Sequence, residues 1–459
     1  MSNPGDADAT PIAAGAAGIR QMAEHIAAGC KPPEAFTIGT EHEKFGFRRA
    51  DLTPPPYQPG GIRAMLEGMA RDGEGWTSIL DHGNPIGLKR GGGSVSLEPA
   101  GQFELSGDML ATLHQTHAEI TAHFAEVKRV AEPLGLGFAP LGFHPTMRRD
   151  QMPWMPKGRY AIMRRYMPLA GIMGLDMMTR TCTVQVNLDY SSEADMARKL
   201  RVAAALQPLA TALFANSPFT EGRANGFMSY RAHVWTDTDN QRSGLPPVFF
   251  EDGFGFERYV EWLLDVPMYF VSRDDAYVDL AGRSFRRFIA GGLAEAAAGV
   301  ATLGDFADHM TTAFTDVRLK RFLEMRGADA GSLEMMVAQS ALWVGLLYDP
   351  AALAAADALV RTHPWAEYIA LRAVVPRMGL AARWGGGTLR DLARDVVAIA
   401  ADGLRARRRL DAEERDEAHF LDPLTAIAHG APSQAEAWLS AFRGRWNGDA
   451  SKIFAEAAM

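Results

Sequence analysis

The sequence predicts an α+β protein built on a curved antiparallel sheet, a bowl open on one face and backed by helices on the other. Three observations carry that expectation. Four separated segments, 37–47, 94–106, 181–189 and 319–326, alternate apolar with polar or acidic residues at the two-residue period of a strand. From about residue 334 onward, Ala, Leu, Arg and Glu recur at helical spacing. No internal repeat or linker-like composition divides the 459 residues. Antiparallel sheets of this pattern cover one face with helices and leave the other open.

Taken in order, residues 1 to about 15 are small and polar and are expected to be loose. Residues 16–459 are expected to form one catalytic domain whose C-terminal portion, about 334–459, is mainly helical. Ile19, Met22, Ala23 and Ile26 space a short helix over 18–28, which Lys31-Pro32-Pro33 ends. The strand from Thr37 follows, then a Pro-rich loop at 53–59 and a helix near 61–71. Lys89-Arg90-Gly91-Gly92-Gly93-Ser94 lacks the Gly-Lys-Ser/Thr ending of a P-loop and reads as a loop rising into a strand. In 94–106, Val95, Leu97, Phe103 and Leu105 take one face and Ser94, Ser96, Glu98, Gln102, Glu104 and Ser106 the other, about a turn at Pro99-Ala100-Gly101.

A helix over 108–132 carries His114, His117 and His123, read as solvated helix surface. Pro, Met and Arg crowd 144–168, which reads as a long loop or lid with a basic stretch at Arg159, Arg164 and Arg165. A strand at 181–189 leads into a helix over 192–214, with Ser191 or Ser192 as N-cap. Further helices are expected at 256–264 and 281–290. Thr388 with Asp391 opens another through a capping box, and Arg405–Arg409 reads as a solvated helix end.

Composition narrows the function. A net charge of −8 argues against a general nucleic-acid binder. Two cysteines, Cys30 and Cys182, are too few for a disulfide scaffold or a cysteine zinc site, and Cys182 reads as a small core residue. There is no Sec-type leader and no apolar run long enough to cross a bilayer. The expectation is a soluble cytoplasmic protein, monomer or homodimer, working on small molecules.

The chemistry starts at Glu41 and Glu43, which share a strand face. Two carboxylates that close repel unless a cation lies between them or one is protonated. The remaining strands add Glu98, Glu104, Gln185 and Glu324 to the polar face, with Arg326 two residues beyond the last. So many acids call for several hard divalent cations such as Mg²⁺. Metal ions bridging phosphates beside an Arg are the usual apparatus of phosphoryl transfer. Arg231 and Trp235 sit in a stretch rich in groups able to clamp a polar small molecule. Arg231 alternatively forms a buried pair with Asp237 or Asp239.

Gly-Thr-Glu-His-Glu-Lys-Phe-Gly-Phe (39–47), Ser-Leu-Glu-Pro-Ala-Gly-Gln-Phe-Glu-Leu-Ser-Gly (96–107), Arg-Thr-Cys-Thr-Val-Gln-Val-Asn-Leu-Asp (180–189), Trp-Thr-Asp-Thr-Asp (235–239) and Arg-Leu-Lys-Arg-Phe-Leu-Glu-Met-Arg-Gly-Ala-Asp (318–329) closely resemble glutamate–cysteine ligase of the plant and proteobacterial type. The resemblance implies the glutamine-synthetase-like carboxylate–amine ligase fold. It also implies ATP-dependent joining of glutamate, through γ-glutamyl phosphate, to cysteine, the first step of glutathione synthesis. By motif, Glu41, Glu43, Glu98, Glu104, Gln185 and Glu324 are implied metal ligands, with Gln185 where related families use His. Arg326 and Glu324 are implied at the phosphoryl transfer, and Arg231, Trp235 and Asn187 at the substrates. Plant members carry regulatory cysteines in segments matching about 291–300 and 331–340. This sequence has none there. With the resemblance beginning inside the first forty residues, no plastid leader is expected and a bacterial enzyme is. A sibling ligase using another amine, a carboxylate-pair hydrolase and a non-catalytic metal binder are the alternatives.

Overall fold

The computed structural model describes residues 8–273, 276–293 and 298–459. Its organising element is β1 (Ile38–Arg48), buried through its first ten residues. The other strands of the main sheet are β2 (Thr77–Asp81), β3 (Asn84–Arg90), β4 (Gly93–Leu97), β5 (Phe103–Ser106), β6 (Leu136–Ala139), β7 (Thr183–Leu188), β8 (Val317–Leu319) and β9 (Leu323–Asp329). They run in the order β8-β9-β7-β1-β5-β4-β3-β2, and β6 pairs with the far half of β1. Every pairing in this sheet is antiparallel.

Alternation along the strands separates the two faces as the sequence predicts. Leu88, Val95, Leu97, Phe103 and Leu105 turn back into one apolar cluster, and Ile38, Val186, Leu188, Leu323 and Met325 into a second. Helices cover this back face. Ile62–Arg71 lies on β3, Leu113–Ala131 on β1, Glu193–Leu213 on β9 and Leu333–Leu347 on β7. Local signals set their starts: a Thr112/Gln115 capping box, the Ser192 hydroxyl accepting from Asp195 N–H, and the expected Thr388/Asp391 box for Leu389–Arg407. The turn between β4 and β5 closes with Gly101 N–H to Glu98 O and Glu98 N–H to Gln102 O. Gly101 sits at φ +85°, a conformation an L side chain resists. That turn fixes Glu98 at the strand end.

Four expectations change. Residues 1–7 lie outside the described residues, but 8–15 are tied down. Ile12 is buried, its N–H bonds Ala301 O, and Leu303 N–H bonds Thr10 O. Segment 144–168 is no simple loop, because Gly158–Ala170 is a helix. His123 is buried instead of solvated. Its Nε2 and His42 Nδ1 each lie 3.1 Å from Lys44 Nζ behind β1. In the Arg405–Arg409 run, Arg407 turns in to pair with buried Glu417 at 2.6 Å. Both cysteines are free and Cys182 is buried, as expected of a core residue. Of the segments 291–300 and 331–340, residues 294–297 lie outside the described residues.

Candidate active site

Strand register assembles the floor of the bowl. Glu43 faces Glu104 directly across β1 and β5, Glu41 faces Gln185 across β1 and β7, and Glu324 faces Asn187 across β9 and β7. Glu98, at the end of β4, joins Glu41, Glu43, Glu104 and Gln185 around one cavity of about 860 Å³ counting its open mouth. The opposite wall comes from Arg159, Tyr160 and Met163 of Gly158–Ala170, Arg231 and Trp235 of the turn-length helix Tyr230–Val234 and its C-cap, and Phe314. A smaller chamber of about 460 Å³ shares Arg231, Trp235, Phe314 and Arg326 with it.

The carboxylates differ in what balances them. Glu41 Oε1 accepts from Asn187 Nδ2 at 2.9 Å, Glu43 Oε2 from Thr183 N–H at 3.0 Å, and Glu104 Oε2 from Ser96 Oγ at 2.9 Å. Burial, then the charge of Glu324, raises the pKa of Glu41. Burial, then Glu98 and Glu104, pushes Glu43 well up. Burial and the charge of Glu104 push Glu98 to about 8, and its buried Oε1 has no protein partner. Glu324 is the opposite case. Although fully buried, it is held well below the usual carboxylate range by Arg318, Lys320 and Arg326. Arg318 forks onto it at 2.7 and 2.8 Å, and Arg326 Nη1 lies at 2.6 Å. Arg326 Nη1 also donates to Gln185 Oε1.

On the wall, Arg231 is buried and sends Nη2 to Arg326 O at 3.0 Å. It does not pair with Asp239, whose carboxylate is taken by Arg242 at 2.6 Å. Asp329 accepts from Asn216 N–H, Ser217 Oγ and Ser229 Oγ, and Ser217 Oγ in turn accepts from Arg231 N–H. This network seats the short helix that carries Arg231. Buried Nε atoms of Arg231 and Arg159 and Nε1 of Trp235 have no partner. Buried donors of this kind are costly unless a ligand answers them.

The sequence-predicted residues Glu41, Glu43, Glu98, Glu104, Gln185, Arg231, Trp235 and Arg326 therefore converge on one cavity. Glu324 lies beneath it within its cations. Asn187 does not line the cavity; as the strand neighbour of Glu324 its side chain reaches Glu41 instead. Sequence reasoning missed Arg318, and saw Arg159 only as part of a basic stretch. Of that stretch, Arg159 enters the cavity, Arg164 stacks on Trp154 and Arg165 pairs with exposed Asp279. Helical phase separates them, and it was invisible while the segment read as a loop.

The donor set suits hard divalent cations. Four carboxylates with few cations of their own, one with an unpartnered buried oxygen, match the all-oxygen preference of Mg²⁺. Among the described residues, no three His, Cys, Asp or Glu side chains already converge as a metal site.

The bowl is the fold of a solved ligase. A solved relative in that fold is the glutamate–cysteine ligase of Francisella tularensis in complex with AMP, with a TM-score of 0.56 at 10% identity over 92% of this chain and 87% of that one. The model of glutamate–cysteine ligase family 2 matches residues 37–456. The glutamate–cysteine ligases of Nicotiana tabacum and Arabidopsis thaliana, both chloroplastic, are each 50% identical, over 95% and 94% of this chain and 82% and 81% of theirs. The chain belongs to glutamate–cysteine ligase family 2. These relatives also correct an expectation: they are plastid proteins, which overturns the cytoplasmic location read from the sequence and leaves the bacterial origin without support.

Proposed function

We propose that this bowl carries out the ATP-dependent ligation of glutamate to cysteine, giving γ-glutamylcysteine. Family membership supports the reaction. The observation that ties it to this site is the pairing of a carboxylate floor with a wall of partnerless buried donors from Arg159, Arg231 and Trp235. The floor suits the metal-bound triphosphate, and the wall suits the carboxylates of an amino acid.

Glu41, Glu43, Glu98 and Glu104, with Gln185, would hold Mg²⁺, more than one ion. Bound there, the metal would neutralise phosphate charge and align the triphosphate. Glu324 holds Arg326 by a charged hydrogen bond, leaving the guanidinium at the cavity edge to meet charge on the transferring phosphoryl group. Arg231 and Arg159 orient glutamate so that a γ-carboxylate oxygen attacks the γ-phosphorus and ADP departs. The cysteine amine then attacks the γ-carbonyl, and phosphate leaves with one carboxylate oxygen. Asn187 keeps Glu41 in place.

A carboxylate-pair hydrolase needs one acid pair and a water. It gives no use for a guanidinium wall or for Arg318, Lys320 and Arg326 clustered on Glu324. The reading is tested by ADP release with Mg²⁺, ATP and glutamate across a panel of amines. Release should be strongest with cysteine. A different amine giving the highest rate would make this a sibling ligase, and ATP-independent hydrolysis of a glycoside would overturn ligation altogether.

A further inference from the structure

Arg326 sits at a break in its own strand. Along β9, Glu324 faces Asn187 and Met325 faces Val186, but the next pairs are Ala328 with Val184 and Asp329 with Thr183. One extra residue lies on β9, so Arg326 and Gly327 together oppose Gln185. Such a bulge frees backbone groups from the ladder and re-aims a side chain.

Here the freed groups are all caught. Arg326 N–H bonds Asp316 O at 3.0 Å, and Arg326 O accepts from Arg231. Gly327 N–H donates to Gln207 Oε1 at 2.8 Å, and Gly327 O accepts from Thr211 Oγ1 at 3.1 Å. Gln207 and Thr211 are one turn apart on the buried helix Glu193–Leu213, so a single helix face grips both polar groups of the bulged glycine. The fit is tight. A Cβ on Gly327 would lie 2.2 Å from Gln207 Oε1, so a side chain there would displace the Gln207 amide from its bond to Gly327 N–H. Gln207 is fully enclosed, and its Nε2 has no partner, so its amide is present for the one bond its oxygen makes.

We propose that Gln207 and Thr211 are positioning residues for the ligation. By clamping Gly327 they fix the bulge on which Arg326 sits, and with it where the guanidinium meets the cavity. Neither residue is among those that line the carboxylate floor; Thr211 borders the smaller chamber only. The inference rests on the role given to Arg326 above.

The test compares Gln207→Met, which keeps volume and loses the acceptor, with Gln207→Glu, which keeps an acceptor, and with the milder Thr211→Val. Gln207→Met should lower kcat on the order of 10²-fold, the effect of an about 1 Å misplacement of a catalytic group. KM for ATP should stay near that of the parent, Gln207→Glu should recover most of the rate, and Thr211→Val should fall between. Each is then repeated in an Arg326→Ala background, where the clamp has nothing left to aim. There Gln207→Met and Thr211→Val should cost almost nothing further, a coupling that general loosening of the fold would not produce. Undiminished kcat in Thr211→Val, or equal losses in both backgrounds, would overturn the proposal. An Arg326→Ala variant as fast as the parent would instead overturn the role given to Arg326, a separate failure.

Discussion

Residues on the two sides of β1 solve opposite electrostatic problems. In front, Glu41 and Glu43 are buried acids with raised pKa values. Behind, Lys44 is a fully buried amine whose Nζ lies 3.1 Å from both His42 Nδ1 and His123 Nε2. Burial brings Lys44 down to about 7 and both histidines well below their ordinary value. A lysine that is easier to deprotonate when folded carries fewer protons than in the unfolded chain between pH 7 and about 10.4. Stability of the metal-free protein should therefore rise through that window, by at most about 1.4 kcal/mol per pH unit from this group. Lys44→Met removes the term. The denaturant midpoint of the parent should gain on that of Lys44→Met between pH 7 and 9.5, and parallel curves would refute the assignment. This back-face cluster was not legible in the sequence. Alternation placed Lys44 opposite Glu43, but three polar residues in a row on a covered face, Thr40, His42 and Lys44, contradict the apolar pattern. Their partners, Ser340 and His123, lie 300 and 79 residues away.

At the scale of elements, a turn and a bulge complete a site that the strand interiors begin. The turn at Gly101 sets Glu98, with Ile62 and Met155 within 3.1 Å of where a Cβ would stand. Gly101→Ala should cost about 1–2 kcal/mol from the left-handed backbone alone, with added crowding, and should raise the Mg²⁺ concentration needed for half-maximal rate. Thermal unfolding and a Mg²⁺ titration of turnover check both, and a loss of stability with an unchanged Mg²⁺ requirement would separate the turn from the site. This hairpin was fully legible because Pro-Ala-Gly between two alternating runs has one economical reading. The bulge in β9 was not. Its alternation looks regular up to Arg326, and the extra residue shows only against the register of β7. The helix Gly158–Ala170 was hidden for a different reason. An internal Pro168 and crowded Met and Arg residues gave it the look of a lid.

For the whole molecule, sequence alternation was enough to foretell a bowl, because the central strands turn polar side chains to one face and apolar ones to the helix-covered other. It could not foretell how the C-terminal helices close the back. One apolar cluster runs from Ile12 to Ala428, joining the first described residues, the sheet and helices past residue 400 in a single core. Nor could it say which acid would be neutralised by protein cations. Glu324 is set apart from the other four by Arg318 and Lys320, two residues whose alternation alone gave no sign of a shared target. In the proposed reaction the bowl phosphorylates the γ-carboxylate of glutamate before cysteine attacks. The direct test is to run the full reaction with glutamate carrying ¹⁸O at both γ-carboxylate oxygens and weigh the phosphate released. Each phosphate formed together with γ-glutamylcysteine should carry one ¹⁸O. Unlabelled phosphate alongside the same product would contradict it.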